Sequence, residues 1–134
     1  MNFIELTNKE LVDIAKVDAQ HLKYVELLNK LHDRLGTKYE GETKRLLMDL
    51  RNTLREHFDT EEKLMKEYNY YGYFSHKLEH NRVFNKVDNY IKSIEKNNGK
   101  LDSEFLERGW RWFFNHFRFN DKKCADHLKA QGVS

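Results

Sequence analysis

The chain has 134 residues, with 24 Lys and Arg against 22 Asp and Glu, seven histidines, one cysteine and no proline. That length suits a single domain over 1–134; the balanced charges lack the basic stripe of a nucleic-acid binder, and no apolar run nears the ~20 residues of a membrane span. The lone Cys124 excludes an internal disulfide and a cysteine-based metal cluster, and the acidic start Met1-Asn2-Phe3-Ile4-Glu5 has no basic leader region, which predicts a cytoplasmic protein.

An irregular arm is expected before Asp18. Beyond it, the absence of proline, which costs about 3 kcal/mol inside a helix, predicts long helices. The chain is punctuated from Gly36 to Gly41, at Tyr70-Tyr71-Gly72 and at Asn97-Asn98-Gly99. Helices are therefore predicted over 18–36, 42–67, 74–96 and 102–120, with a short amphipathic helical tail after Asp121. Each carries an inward seam at alternating spacings of three and four. The first reads Val17, His21, Tyr24, Leu28, Leu31, Leu35 and the second Leu47, Leu50, Leu54, His57, Glu61, Leu64, Tyr68. The third reads His76, His80, Val83, Val87, Tyr90, Ile94 and the fourth Phe105, Gly109, Trp112, His116, Phe119. Four such seams joined by short loops predict an all-α fold, an antiparallel up-down-up-down four-helix bundle.

His21, His57, Glu61, His76, His80 and His116 stand on these seams, where an ionisable group needs a partner. The pairs His57–Glu61 and His76–His80 are spaced i,i+4, about 40° apart and one turn offset, so each pair can grip one ion or two adjacent ions. Side chains converging from facing helices are how bundles build metal sites. Imidazole suits iron, zinc, copper or nickel, and carboxylates shift the balance toward iron or manganese. Five imidazoles with acids exceed the needs of one tetrahedral zinc, so two metals are expected. Glu61 supplies one bridge, and Asp121 is the candidate for a second. Five residues of straight helix would set Asp121 about 140° from His116, so the fourth helix must end or loosen between Asn120 and Asp121 if both bind. His32 and His127 fall off the seams and read as surface or boundary residues.

These residues carry a family likeness. Asp18-Ala19-Gln20-His21, His57-Phe58-Asp59-Thr60-Glu61-Glu62-Lys63-Leu64-Met65, His76-Lys77-Leu78-Glu79-His80 and Trp112-Phe113-Phe114-Asn115-His116 followed by Asp121 resemble the hemerythrins in their stand-alone bacterial form, over essentially the whole length. The resemblance implies a non-haem centre of two iron ions with a bridging oxo or hydroxo. His76, His80 and His116 would hold the filled iron, His21 and His57 the iron with an open position, and Glu61 and Asp121 would bridge. In the family, dioxygen binds end-on at the open iron, takes one electron from each iron and the bridging proton, and is held as hydroperoxide. Formal charge in the buried site is then unchanged, which avoids a solvation penalty.

Phe58, Trp112, Phe113 and Phe117 adjoin the ligands in sequence and are candidates for an apolar shield as well as plain core. Departures from the family pattern stand at Tyr71 in place of proline, Phe117 in place of an aliphatic residue, and Tyr24 in place of leucine; a tryptophan usual in the arm is absent near Ile4. Tyr24 either sends its hydroxyl to a bound oxygen species or packs in the core with the hydroxyl at the bundle rim. The resemblance implies reversible oxygen binding for storage, delivery or sensing; 134 residues leave no room for a fused signalling domain, which favours storage or delivery by a monomer. The alternative is a di-iron enzyme reducing peroxide, nitric oxide or oxygen with an external reductase; an oxygen-consuming enzyme could equally be the carrier's partner.

Overall fold

The computed structural model describes residues 11–134; the part of the expected arm before Leu11, the Ile4 region included, lies outside the described residues. Helix α1 runs over Ala15–His32, α2 over Gly41–Glu67, α3 over Tyr73–Lys96 and α4 over Ser103–Asn115; a π-helical stretch, His116–Asp121, leads into α5, Lys122–Ala130. The expected bundle with its helical tail is what forms. No strand forms among the described residues, where β pairing is limited to an isolated antiparallel bridge between Lys38 and Lys100.

Helix α1 starts at Ala15, ahead of the expected Asp18, because Asp18 serves the start of the helix from within. Its carboxylate accepts the backbone N–H of Val12 at 2.8 Å and of Asp13 at 3.1 Å, and a negative charge in the first turn suits the helix dipole. The helix also stops at His32, short of the expected residue 36, and the intervening residues form tight turns ending on Gly36 at φ +80°. Helices α2 and α3 end by one shared device. Asn69 and Asn98 take left-handed conformations, φ +54° and +49°. Beyond each, an N–H reaches back five residues, Tyr70 to the Met65 carbonyl and Gly99 to that of Ile94, both at 2.8 Å. Helix α4 opens on Asp102, whose side chain accepts the Phe105 N–H at 2.8 Å.

The α1–α2 and α3–α4 loops meet at one end of the bundle. Gly36 N–H donates to Leu101 O, Leu101 N–H to Thr37 O and Tyr39 N–H to Gly99 O, which fixes the up-down-up-down order. Above the middle of the bundle, α1, α2 and α4 enclose Leu28, Leu31, Leu47, Leu50, Leu54 and Leu106. Arg51 ties α2 to α3 through Asp88 at 3.1 Å, and Arg55 lies over the Phe84 ring at 4.0 Å. A second cluster fills the opposite end: Val12, Ile14, Val17, Met65, Tyr70, Cys124, Ala125 and Leu128. The polar seam residues occupy the layer between.

Two seams shift. On α2 the fully buried residue near the helix end is Met65, whereas Leu64 and Tyr68 are half-buried. On the fourth helix Leu106, Phe113 and Phe117 are buried and Phe119 is 65% exposed. The π stretch changes the winding after His116, so a 3.6-residue period carried through it assigns Phe119 to the wrong face. Asp102→Ala is expected to cost about 1 kcal/mol of stability and Asp102→Ser far less, measured by urea unfolding.

Candidate metal centre

All five seam histidines turn Nε2 into one space. His21 and His57 come from successive helices, His76 and His80 from one face of α3, and His116 opens the π-helical stretch after α4. Each is 5% exposed or less, as are Glu61 and Asp121. The π stretch brings Asp121 in: i→i+5 winding stacks residues five apart, and His116 Nε2 lies 2.7 Å from Asp121 Oδ1. If both residues bind, the helix must end or loosen between Asn120 and Asp121; it loosens, by π winding over the whole of His116–Asp121.

Two donor groups result, Glu61 with His76, His80, His116 and Asp121, and His21 with His57 and Asp121; within each, the donor atoms lie within 4.8 Å of one another. Asp121 reaches both, with Oδ2 2.9 Å from His21 and 3.3 Å from His57, and Oδ1 3.2 Å from His76. Glu61 Oε1 lies 3.2 Å from His57 Nε2, 3.5 Å from His76 and 3.3 Å from His80, so it too touches both groups.

The arrangement suits cations better than hydrogen bonds. Glu61 Oε1 is buried without a hydrogen-bond partner. The Nε2 atoms of His21 and His57, and of His80 and His116, are 3.2 Å apart; metal–nitrogen bonds of about 2.1 Å meeting at right angles would set neighbouring donors about 3.0 Å apart. Nitrogen and carboxylate donors in this mixture suit iron or manganese, so the residues fit the group the sequence implies.

Burial lowers the affinity of these rings for protons, yet the carboxylates outweigh it at most positions. His57 and His76 are raised to about 10 and His116 to about 9, Glu61 and Asp121 supplying the pull in each case. At His21 burial wins over Asp121, and its pKa falls. Burial pushes both Glu61 and Asp121 up, and Asp121 adds repulsion at Glu61, but the surrounding imidazoles hold both well below the usual carboxylate range. Cations bound here would take the place of protons that the carboxylates favour on His57, His76 and His116.

The outer ring nitrogens are held by residues that the seams did not single out. His57 Nδ1 donates to Gln20 Oε1 at 3.0 Å, and Gln20 Nε2 donates to Thr60 Oγ1 at 3.0 Å. His80 Nδ1 donates to Glu62 at 3.0 Å. Glu79 accepts from His116 Nδ1 at 3.0 Å and from the Trp112 indole N–H at 3.2 Å, and Asn120 donates to its second oxygen. Such contacts orient ligand rings and set which nitrogen faces inward. The available signal was adjacency: Gln20, Glu62 and Glu79 each stand next to a seam ligand, about 100° around the helix.

The four candidate shield residues line the cluster. Phe117 stacks on His21 with centroids 3.2 Å apart, Phe58 on His80 at 3.9 Å and Trp112 on His116 at 4.6 Å, and Phe113 meets His21 edge-on at 5.9 Å. A small space beside His21 and His57 is bounded by Thr53, Leu54, Phe113, Phe117 and Tyr24. Tyr24 stacks on Phe113 at 4.1 Å. Its hydroxyl lies 3.6 Å from where a Cβ on Gly109 would stand, roughly two turns of α4 from His116. Of the two alternatives for Tyr24, the geometry favours packing with the hydroxyl away from the ligands. His127 is half-buried, its Nε2 2.8 Å from the Tyr68 carbonyl and outside the cluster; His32 is half-buried on α1. Cys124 is buried among apolar neighbours and burial pushes its thiol up.

The model of the hemerythrin HHE cation binding domain matches residues 12–128. A bacteriohemerythrin of Clostridium acetobutylicum is 30% identical over 118 residues, covering 84% of this chain and 92% of that protein; one of Aquifex aeolicus is 32% identical over 115 residues, covering 84% and 87%. A crystal structure of a hemerythrin with leucine replaced by alanine at one position superposes with a TM-score of 0.89 at 25% identity, covering 96% of this chain and 98% of that one. Wild-type hemerythrin superposes at 0.87 with 24% identity, covering 94% and 98%.

Replacing Glu79 by alanine is expected to lower ferrous-ion affinity about 10- to 100-fold, read by competition with a chelator. The same change at exposed Glu107 should leave the affinity unaltered.

Proposed function

The chain belongs to the hemerythrin HHE cation-binding family, and from that premise we propose that it is a single hemerythrin-like domain, residues 1–134, that binds dioxygen reversibly at a non-haem di-iron centre. The observation that carries the reading is the pair of donor groups sharing Asp121 inside a closed bundle. His76, His80 and His116 would hold one iron, and His21 and His57 the other, with Glu61 and Asp121 within reach of both groups. The His21–His57 side brings two imidazoles against three on the other, which makes it the side for an external ligand. Two ferrous ions bound there would supply the electrons for reversible oxygen uptake.

What the residues do is hold and exclude. Gln20, Glu62 and Glu79 fix three rings so that Nε2 faces inward. The stacked faces of Phe58, Trp112 and Phe117 cover the imidazoles and keep water, and with it stray protons, from the reacting atoms. A site built to exclude protons supports holding a ligand over turning it over, so we read the chain as a binding protein and not an enzyme, used for storage or delivery. The same reading takes the chain as a cytoplasmic monomer, served by an external reductase or feeding an oxygen-consuming enzyme. No helix among the described residues is long and apolar enough to cross a membrane.

Iron analysis followed by cycling the reduced protein between air and vacuum tests this. About two irons per chain, with a visible charge-transfer band that appears in air and fades under vacuum over repeated cycles, is the expected result. Immediate irreversible oxidation would support the enzymatic alternative, and a protein that takes up no iron would end both readings.

A further inference from the structure

One large cavity lies outside the metal cluster. Helices α3 and α4 do not approach backbone to backbone as α1 does to α2 and α2 to α3. Side chains hold them apart at two levels. Near the start of α3, Glu79 accepts the Trp112 indole N–H; near its end, Tyr90 stacks on Phe105 with centroids 3.8 Å apart. Between the two contacts opens a cleft of about 730 Å³, within the roughly 300–1,000 Å³ of small-molecule sites. Residues 79 to 90 span about 16 Å of α3, so the cleft is elongated as well as roomy.

Its inner surface is apolar, with Leu28, Leu50, Val83 and Val87 among the lining residues. Its charged residues divide differently. Arg108 is paired with Glu104, and Asp102 is engaged in capping α4. Lys86 from α3 and Arg111 from α4 also line the cleft, and neither has an ion pair or hydrogen bond among the described residues. An apolar trough edged by two uncompensated cations is complementary to a ligand with an extended apolar body and an anionic head. Burying the body removes apolar surface from water, and the head gives the two cations the partner they lack.

We propose that the α3–α4 cleft binds a single-chain anionic amphiphile of the fatty-carboxylate kind, its chain along Val83 and Val87 and its head at Lys86 and Arg111. Tyr24 lines both this cleft and the small space beside His21 and His57, so the bound chain rests on the residue that separates the two. The proposal stands apart from oxygen binding and is read without it.

Isothermal titration calorimetry of the intact, metal-containing chain tests it, with dodecanoate, dodecanol and dodecyltrimethylammonium as probes below micelle formation. Dodecanoate should bind once per chain, roughly tenfold more tightly than the alcohol, with no saturable binding of the cation. Lys86→Glu combined with Arg111→Glu should weaken dodecanoate roughly tenfold or more while leaving the melting temperature unchanged. Val83→Trp, which fills the trough, should remove binding of dodecanoate and dodecanol alike. Should that variant fail to fold, the charge-reversed pair decides alone. Equal binding of all three probes, dodecanoate binding that survives charge reversal, or no saturable binding would each overturn the proposal.

Discussion

Two carboxylates buried at the centre of a helical bundle cannot stand alone. The desolvation of Glu61 and Asp121 has to be offset within a few ångströms, and much of the molecule follows from how it is offset. Five imidazoles from four helices supply the nearest partners, which requires those helices to converge in one layer. The rings in turn must be aimed, and Gln20, Glu62 and Glu79 aim three of them. Glu79 is itself held by Trp112 and Asn120, so the chain of dependence runs outward to residues that are only partly buried.

The same constraint shapes the backbone. A regular α-helix cannot present both His116 and Asp121 to one point. The π-helical winding over His116–Asp121 accommodates both, and π turns inside α-helices are often found where function demands an otherwise unfavourable geometry. Its cost appears on the surface, where Phe119 is turned outward. Apolar ring faces then complete the layer, with Phe58, Trp112 and Phe117 stacked against His80, His116 and His21. These contacts use the flat side of each imidazole, the direction in which no nitrogen donor points.

Much of this was legible in the residue order. Helix periodicity placed every seam histidine and Glu61 on an inward face, and the five-residue gap between His116 and Asp121 meant that the helix had to end or loosen if both were to bind. Periodicity failed where the period itself changed, at Phe119, and where a helix end was decided by a contact across the loop, as when Asp18 accepts from Val12 and Asp13. The outer partners of the rings were hidden for a different reason. Glu62 and Glu79 look like ordinary exposed helix acids until the facing helix is known, because His80 is eighteen positions from Glu62 and His116 thirty-seven from Glu79. Nor can a sequence show that α3 and α4 stand apart, since that separation depends on how Tyr90 stacks on Phe105 and how Trp112 reaches Glu79 in space.

The polar layer has an effect on the molecule as a whole. It divides the apolar interior into an upper cluster built from α1, α2, α3 and α4 and a lower one built from the entry to α1, the end of α2 and α5. The seven converging side chains come from α1, α2, α3 and the π-helical stretch that leads into α5, so the layer joins elements on both sides of that division. Metal ligation at the layer would fasten the two clusters together, and its release would let the smaller one open ahead of the larger. Amide hydrogens of α5 and of the end of α2 would then exchange on a clock set by the metal, whereas those around Leu47 and Leu50 would keep the time of global unfolding.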